Sequence, residues 1–406
     1  MWTKRIREIT EERREHREGA TAKATQVLRL RAARFAQDDS GLVSADGFVY
    51  ASGEMNPLAD DLEHIAAETQ GLWEEMRGQR VFLTGGTGFF GCWLVESFCH
   101  VNRTLGLGAR ATVLSRDPAK FAAKCPHVAN DPAITLLAGD VREFDFPAGE
   151  FGYVIHAATE TTGKQEPQEL LSTIVKGTAR TLEFARQRGA RKFLLTSSGA
   201  VYGRQPAEMT HVPETYARAP DPPGTLDSLD SASAYAEGKR ASELMCVQEQ
   251  QAAVAKGAEF EAKIARCWAF VGPHLPLDAH FAIGNFIGDV LAGRPISIGG
   301  DGTPRRSYLY AADLAVWLWT ILLRAPALAP INVGSGRDVS ILELAQTVAK
   351  TLAPGTRIEV AKQAVAGAAP ARYVPSVKRA EELLGLRETV GLEEAIRRTA
   401  AWHRAQ

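Results

Sequence analysis

Neither sign of charge dominates this sequence. Its 406 residues carry 47 Lys and Arg against 48 Asp and Glu, a net charge of -1, so the balance gives no reason to expect nucleic acid or an anionic membrane as partner. Long apolar runs are missing too. The longest, Leu314 to Leu323, is far too short to span a bilayer and reads as a buried helix. The N-terminus is charged from Lys4 onward and lacks the apolar core of a secretory signal. Cysteine is scarce: Cys92, Cys99, Cys125, Cys246 and Cys267 are scattered, with no paired metal-ligand spacing. That pattern fits reduced, buried thiols in a cytoplasm and offers no metal site. No internal repeat or low-complexity tract interrupts a composition of 45% hydrophobic and 23% charged residues. A chain of this kind can bury a sizeable core as one large domain or two.

What is present has an order. Residues 1 to about 34 are dense in Arg, Lys and Glu and read as one or two solvated helices. Asp38-Asp39-Ser40-Gly41 breaks that pattern, and a further helix is expected from Pro57 to Met76, with Leu58, Leu62, Ile65 and Leu72 near one face. From Val81 onward strands and helical patterns alternate, which implies an α/β fold with a doubly wound parallel sheet. Strands are expected at Val81–Leu83, Ala111–Leu114, Ile134–Leu137, Tyr153–Ala158, Lys192–Thr196 and Ala262–Arg266. Between and after them helices are expected at Glu166–Gln187, Ser233–Ala255, Phe281–Ala292, Ala312–Leu323, Ile341–Leu352 and Leu392–His403. Pro206 to Leu229, rich in Pro, Asp and Thr, reads as a loop inserted over a site. The expected divisions are an N-terminal helical extension over 1–77, a nucleotide-binding and catalytic domain over 78–272, and a smaller substrate-binding lobe over 273–406 that interleaves with the sheet.

The chain is organised around Thr84-Gly85-Gly86-Thr87-Gly88-Phe89-Phe90-Gly91. Strand, glycine turn and helix succeed one another here in the order a dinucleotide site needs. Gly85 allows a sharp turn, Gly88 lets a pyrophosphate approach the backbone, and Gly91 lets the helix pack on the sheet. The free N–H groups of that helix then face the phosphates. Far downstream, Tyr235-Ala236-Glu237-Gly238-Lys239 sets a phenol and an ammonium on one helix face. Lys239 can lower the pKa of Tyr235, whose phenolate can accept a hydroxyl proton while hydride leaves the same carbon. Ser197-Ser198-Gly199-Ala200-Val201-Tyr202-Gly203 ends the fifth strand, on the crevice side of such sheets. From there Ser198 can hydrogen-bond the substrate oxygen opposite Tyr235.

Taken jointly, Thr-Gly-x-x-Gly-x-x-Gly, Ser-Ser-x-x-Val-Tyr-Gly and Tyr-x-x-x-Lys resemble the extended short-chain dehydrogenase/reductases. The branch they are most similar to is the NAD-dependent epimerase/dehydratase group acting on nucleotide sugars. Arg266-Cys267-Trp268-Ala269-Phe270-Val271-Gly272-Pro273, Arg306 to Asp313, Asn332-Val333-Gly334-Ser335-Gly336 and Leu392 to Ile396 continue the likeness, which runs from about Gly78 to Trp402. It implies a Rossmann-type sheet, catalysis by Ser198, Tyr235 and Lys239, and NAD as cofactor. The cofactor contacts it implies are Gly85, Thr87, Gly88, Phe89, Phe90, Gly91, Ser115, Arg116, Asp140, Val141, Ala157, Ala158, Tyr235 and Lys239. For a nucleotide-diphosphate sugar they are Glu160, Ser198, Asn285, Arg306 and Arg372; arginine forks suit the diphosphate. A homodimer is also implied, built on the helices that begin near Glu166 and Ser233.

Some positions depart from the group. The second strand ends in Ser115-Arg116-Asp117 where NAD-preferring members usually place an acid on the ribose, so NADP is open as an alternative. Gly199-Ala200 stands where the 4,6-dehydratases carry Asp-Glu and the decarboxylases a Glu. Ala269 and Ile174 each replace an Asn. The expected reaction is therefore epimerisation through a transient 4-keto sugar. Dehydration, decarboxylation and NADPH-dependent reduction are the alternatives.

Overall fold

A computed structural model of the protein describes residues 56–159, 165–217, 230–279 and 281–406. The expected extension helices before Asp38 and the end of the inserted loop, 218–229, lie outside the described residues.

Six of the strands foreseen in the sequence form: β1 (Arg80–Thr84), β2 (Arg110–Ser115), β3 (Ile134–Ala138), β4 (Tyr153–His156), β5 (Lys192–Ser198) and β6 (Glu261–Cys267). A later strand, β11 (Ile331–Val333), joins beside β6, completing a seven-stranded sheet ordered β11-β6-β5-β4-β1-β2-β3. Every pair in it is parallel. The order in which the chain adds strands to the sheet reverses between β1 and β4, and a crevice opens at the carboxyl ends of strands at such a point. The nine residues of β1 and β4 are almost wholly buried because helices cover both faces. Alternation divides the core. Val81 and Leu83 face the cluster containing Trp93, Trp317 and Trp319, whereas Phe82 faces Phe144, Phe151 and Phe184. The Phe82 and Phe184 rings lie 4.2 Å apart.

The expected helix from Pro57 to Met76 is broken. Helix α1 spans Ala59–Glu68 and a 3-10 turn Trp73–Met76, with Gly71 at φ +82° between them. Left-handed backbone at that glycine ends the helical run. Leu58, Leu62, Ile65, Trp73 and Met76 all enter the main core, and the Asp61 carboxylate accepts from the Tyr310 hydroxyl at 2.5 Å while pairing with Arg398. Residues 56–77 are thus bound into the body of the protein.

Helix α2 (Phe89–Thr104) follows the glycine loop, and short helices α3 (Pro118–Lys124) and α4 (Pro126–Ala129) lie between β2 and β3. Helices α5 (Pro167–Gln187) and α6 (Ser231–Ala255) pack against each other on one side of the sheet. Beyond β7 (Phe270–Val271) come α7 (Ala282–Leu291), β8 (Ile296–Ile298), β9 (Arg305–Ser307), β10 (Leu309–Tyr310) and the buried α8 (Ala311–Arg324). After β11 follow β12 (Asp338–Ser340), α9 (Ile341–Leu352), β13 (Ile358–Val360), β14 (Arg372–Tyr373), α10 (Lys378–Leu384) and α11 (Leu392–Arg404). Strands β12, β9 and β14 make a small sheet in that order. The inserted loop runs against it, with the Val212 N–H donating to Val374 O at 2.9 Å.

Candidate active site

The glycine loop is built as its spacing requires. Gly85 has φ +72°, and a Cβ there would lie 2.5 Å from the Ala157 carbonyl. A Cβ at Gly91 would lie 2.2 Å from Gly85 O and 2.3 Å from the Gly86 Cα. Both glycines are therefore required by the packing of strand, turn and helix. Gly88, the N-cap of α2, is different: a Cβ there would meet only Gly85 O, at 3.5 Å. Open space over the backbone at a helix N-terminus suits a pyrophosphate, so the loop fits a dinucleotide. Ala157 and Ala158 stand beside it, and the Ala158 N–H is held by the Thr84 hydroxyl at 3.3 Å.

At the adenosine end of such a site, Ser115 is buried and its hydroxyl accepts from the Asp117 N–H at 3.2 Å. Asp117 caps α3 through the Lys120 N–H, 2.9 Å away, which commits that carboxylate to the helix. Arg116 is exposed. The Asp140 carboxylate is held below its ordinary range, first by a hydrogen bond from Arg142 and lastly by the charge of Arg116. Val141 is buried against Gly177.

Ser198, Tyr235 and Lys239 converge. The strand end presents Ser198, and α6 presents the other two one turn apart. The Ser198 hydroxyl accepts from the Ala200 N–H at 3.1 Å and stands beside the Tyr235 phenol. Lys239 is 3% exposed, its Nζ donating to Thr159 Oγ1 at 2.7 Å and to Thr196 O at 2.8 Å. That ammonium lies 5.7 Å from the centre of the Tyr235 ring. Burial pushes the Lys239 pKa down to about 8. The expected lowering at Tyr235 is not found in the protein alone. Burial pushes its phenol up to about 12, outweighing the lowering effect of the nearby Ser198 hydroxyl.

Sequence reasoning missed a third hydroxyl. Tyr373, on β14, also stands beside Ser198 and lies close enough to Tyr235 for the two phenols to repel as anions. Its ring packs 4.4 Å from that of Trp268. A Cβ at Gly199 would lie 2.6 Å from the Trp268 ring and 2.8 Å from the Tyr373 hydroxyl. No side chain fits at position 199 in this arrangement. No local pattern marks Tyr373, because its place depends on a two-residue strand in a small sheet.

The same small sheet separates the two arginines expected at the diphosphate. Tyr373 is in register with Arg306, and Arg372 with Arg305. Alternate strand residues point to opposite faces, so Arg306 shares the Tyr373 face, with its guanidinium 5.8 Å from that ring. Arg372 instead pairs with Asp338 at 3.0 Å, alongside Arg305. Asn285 sits in the first turn of α7, partly buried. Glu160 lies outside the described residues.

Behind the site the motif residues are joined by a buried network that the sequence did not disclose. Glu243 on α6 accepts from Ser197 at 2.6 Å and from Arg266 at 2.7 and 2.9 Å. Arg266 also donates to the Tyr202 hydroxyl at 2.9 Å, which donates to Asn332 Oδ1 at 2.9 Å. Charge-assisted bonds of this kind hold β5, β6, β11 and α6 in one arrangement.

A sequence model of the NAD dependent epimerase/dehydratase family matches residues 81–334. UDP-glucuronic acid decarboxylase 4 of Arabidopsis thaliana is 30% identical over 318 residues, covering 78% of this chain and 67% of the plant protein. The structure of UDP-glucose 4-epimerase from Thermotoga maritima, with UDP-glucose, matches with TM-score 0.65 at 19% identity, covering 80% of this chain and 99% of that one. UDP-glucuronic acid 4-epimerase from Bacillus cereus, in complex with UDP-glucuronic acid and NAD, matches with TM-score 0.65 at 18% identity over 80% and 99% of the two chains. These two structures share the fold.

Proposed function

Because this chain belongs to the NAD dependent epimerase/dehydratase family, we propose that it is an enzyme that epimerises a nucleotide-diphosphate sugar through transient oxidation at C4. The observation that carries this reading is the meeting of Ser198, Tyr235 and buried Lys239 at the crevice, beside a position that has no room for a carboxylate. NAD, when bound, supplies the hydride acceptor and a positive ring charge. The glycine loop and the α2 N-terminus hold its pyrophosphate, and Ala157, Ala158, Asp140 and Val141 line the remainder of its path. Tyr235 Oη takes the proton of the sugar hydroxyl, and Ser198 orients that oxygen. Lys239, fixed by Thr159 and Thr196, stabilises the phenolate. Arg306 holds the diphosphate. After the keto sugar turns over, Tyr235 returns its proton to the sugar oxygen as the hydride goes back to the other face of the carbon.

Decarboxylation from the same keto intermediate is the second reading, favoured by the 30% identity with a UDP-glucuronic acid decarboxylase. Mass and NMR analysis of products from a panel of UDP-hexoses and UDP-uronic acids separates the two. An isomer of unchanged mass is expected; loss of CO2 selects the second reading, and no turnover of any nucleotide sugar overturns both. We further propose a cytoplasmic homodimer. Leu244 on α6 is 68% exposed, and Leu171 on α5 is only partly covered, which leaves an apolar strip on the paired helices.

A further inference from the structure

The cysteines that look scattered in sequence are not all scattered in space. Cys92 stands in the first turn of α2, Cys125 between α3 and α4, and His274 in the turn after β7. Their ligand atoms lie within 4.8 Å of one another, and all three residues are buried. Glu96, one turn along α2 from Cys92 and 1% exposed, brings Oε1 to 4.0 Å from His274 Nε2. Two features of this pocket have no explanation in packing. Neither ring nitrogen of His274, a residue 8% exposed, has a hydrogen-bond partner, and neither has Glu96 Oε2. An orphaned imidazole and an orphaned carboxylate oxygen are costly to bury.

We infer that Cys92, Cys125, His274 and Glu96 form a binding site for one borderline-soft divalent cation, with Zn2+ as the matching ion. Two sulfurs, one imidazole nitrogen and one carboxylate oxygen are a tetrahedral zinc donor set. At ordinary zinc bond lengths of about 2.0–2.3 Å such donors stand roughly 3.5–3.8 Å apart, so Cys92, Cys125 and His274 need to close by about 1 Å at most, and Glu96 Oε1 already stands 4.0 Å from His274 Nε2. Binding expels both thiol protons to solvent and forms two Zn–S bonds, with the imidazole neutral. The shell behind the ligands is in place as well. His127 Nε2 contacts Glu96 Oε1 at 2.7 Å, as an outer partner fixes a ligating carboxylate. Lys124 lies near both thiols and offsets the excess negative charge. Donors drawn from three separate elements leave no spacing signature, which is why the sequence shows no metal motif. The site would act as a clasp. Cys92 stands in the first turn of α2, directly after the glycine loop, so the ion would tie the start of that helix to the β7 turn.

The test uses the whole purified protein. Metal analysis should find about one zinc per chain, and chelation followed by Co2+ should produce thiolate-to-cobalt charge-transfer absorption. Cys125→Ser should abolish that absorption. His127→Ala keeps all four ligands and should weaken zinc binding ~10–100-fold in a chelator competition. Wild-type protein that retains no zinc and gains neither cobalt absorption nor thermal stability from added Zn2+ overturns the inference, whatever the variants do. A Cys92–Cys125 disulfide, found by peptide mapping of unreduced protein from anaerobically handled cells, overturns it too.

Discussion

At the scale of single residues, the site depends on hydroxyl groups gathered beside one serine. Tyr235→Phe keeps the ring and removes the proton acceptor, so turnover of an accepted nucleotide sugar should fall ~10²–10⁴-fold while NAD still binds. Fluorescence titration with NADH beside steady-state kinetics checks both halves. Tyr373→Phe leaves Tyr235 and Lys239 intact but removes the second phenol beside Ser198. A smaller fall in turnover is expected, with a shifted pH–rate profile; an unchanged profile would mean that Tyr373 is only packing. Arg116 is the residue expected to set cofactor choice, since Asp117 is committed to capping α3. NAD is expected to bind more tightly than NADP, and Arg116→Ala should widen that gap in a direct comparison of the two affinities. Ser198, Tyr235 and Lys239 were legible because each lies in a motif with fixed local spacing. Tyr373, Trp268 and Glu243 were not, because nothing near them in sequence says what they will face.

Among elements, the glycine loop with α2 is the most tightly determined. A methyl at Gly91 would meet backbone atoms of Gly85 and Gly86 at 2.2–2.4 Å, and neither can step aside. Gly91→Ala gains helix propensity of up to ~1 kcal/mol but should lose more through overpacking, about 1–3 kcal/mol. Chemical denaturation should show the net loss, and NAD affinity should fall with it. Strand and helix positions in the parallel sheet were readable because burial on both faces writes unbroken apolar runs between helical patterns. The small sheet of β12, β9 and β14 was not, because strands of two or three residues have no periodicity to read. Its register nevertheless decides that Arg306 and Tyr373 share one face while Arg372 turns to Asp338. The break in the helix expected from Pro57 to Met76 was visible in principle, as Gly71 stands at the point where it ends.

For the whole molecule, stability should fall in mild acid. His156, on β4, is buried among Thr84, Thr178 and Thr181, and burial holds its pKa down at about 3. Unfolded, it titrates near ~6.5. Between those values the unfolded chain binds the extra proton, so stability is full above about pH 6.5 and is lost as pH falls toward 3, at up to ~1.4 kcal/mol per pH unit. His156→Gln should flatten the decline of Tm with pH across that window. Light scattering should give a dimer mass, and Leu244→Glu should shift it toward the monomer; a monomeric wild type would rule out the proposed assembly. The threading of the chain also sets an order of events during synthesis. Glycine loop, serine and catalytic helix all leave the ribosome before β11 can take its place beside β6 and before Tyr373 can reach Ser198. A nascent chain stopped short of β14 would carry the glycine loop, Ser198, Tyr235 and Lys239 and still lack the phenol that Tyr373 brings beside Ser198.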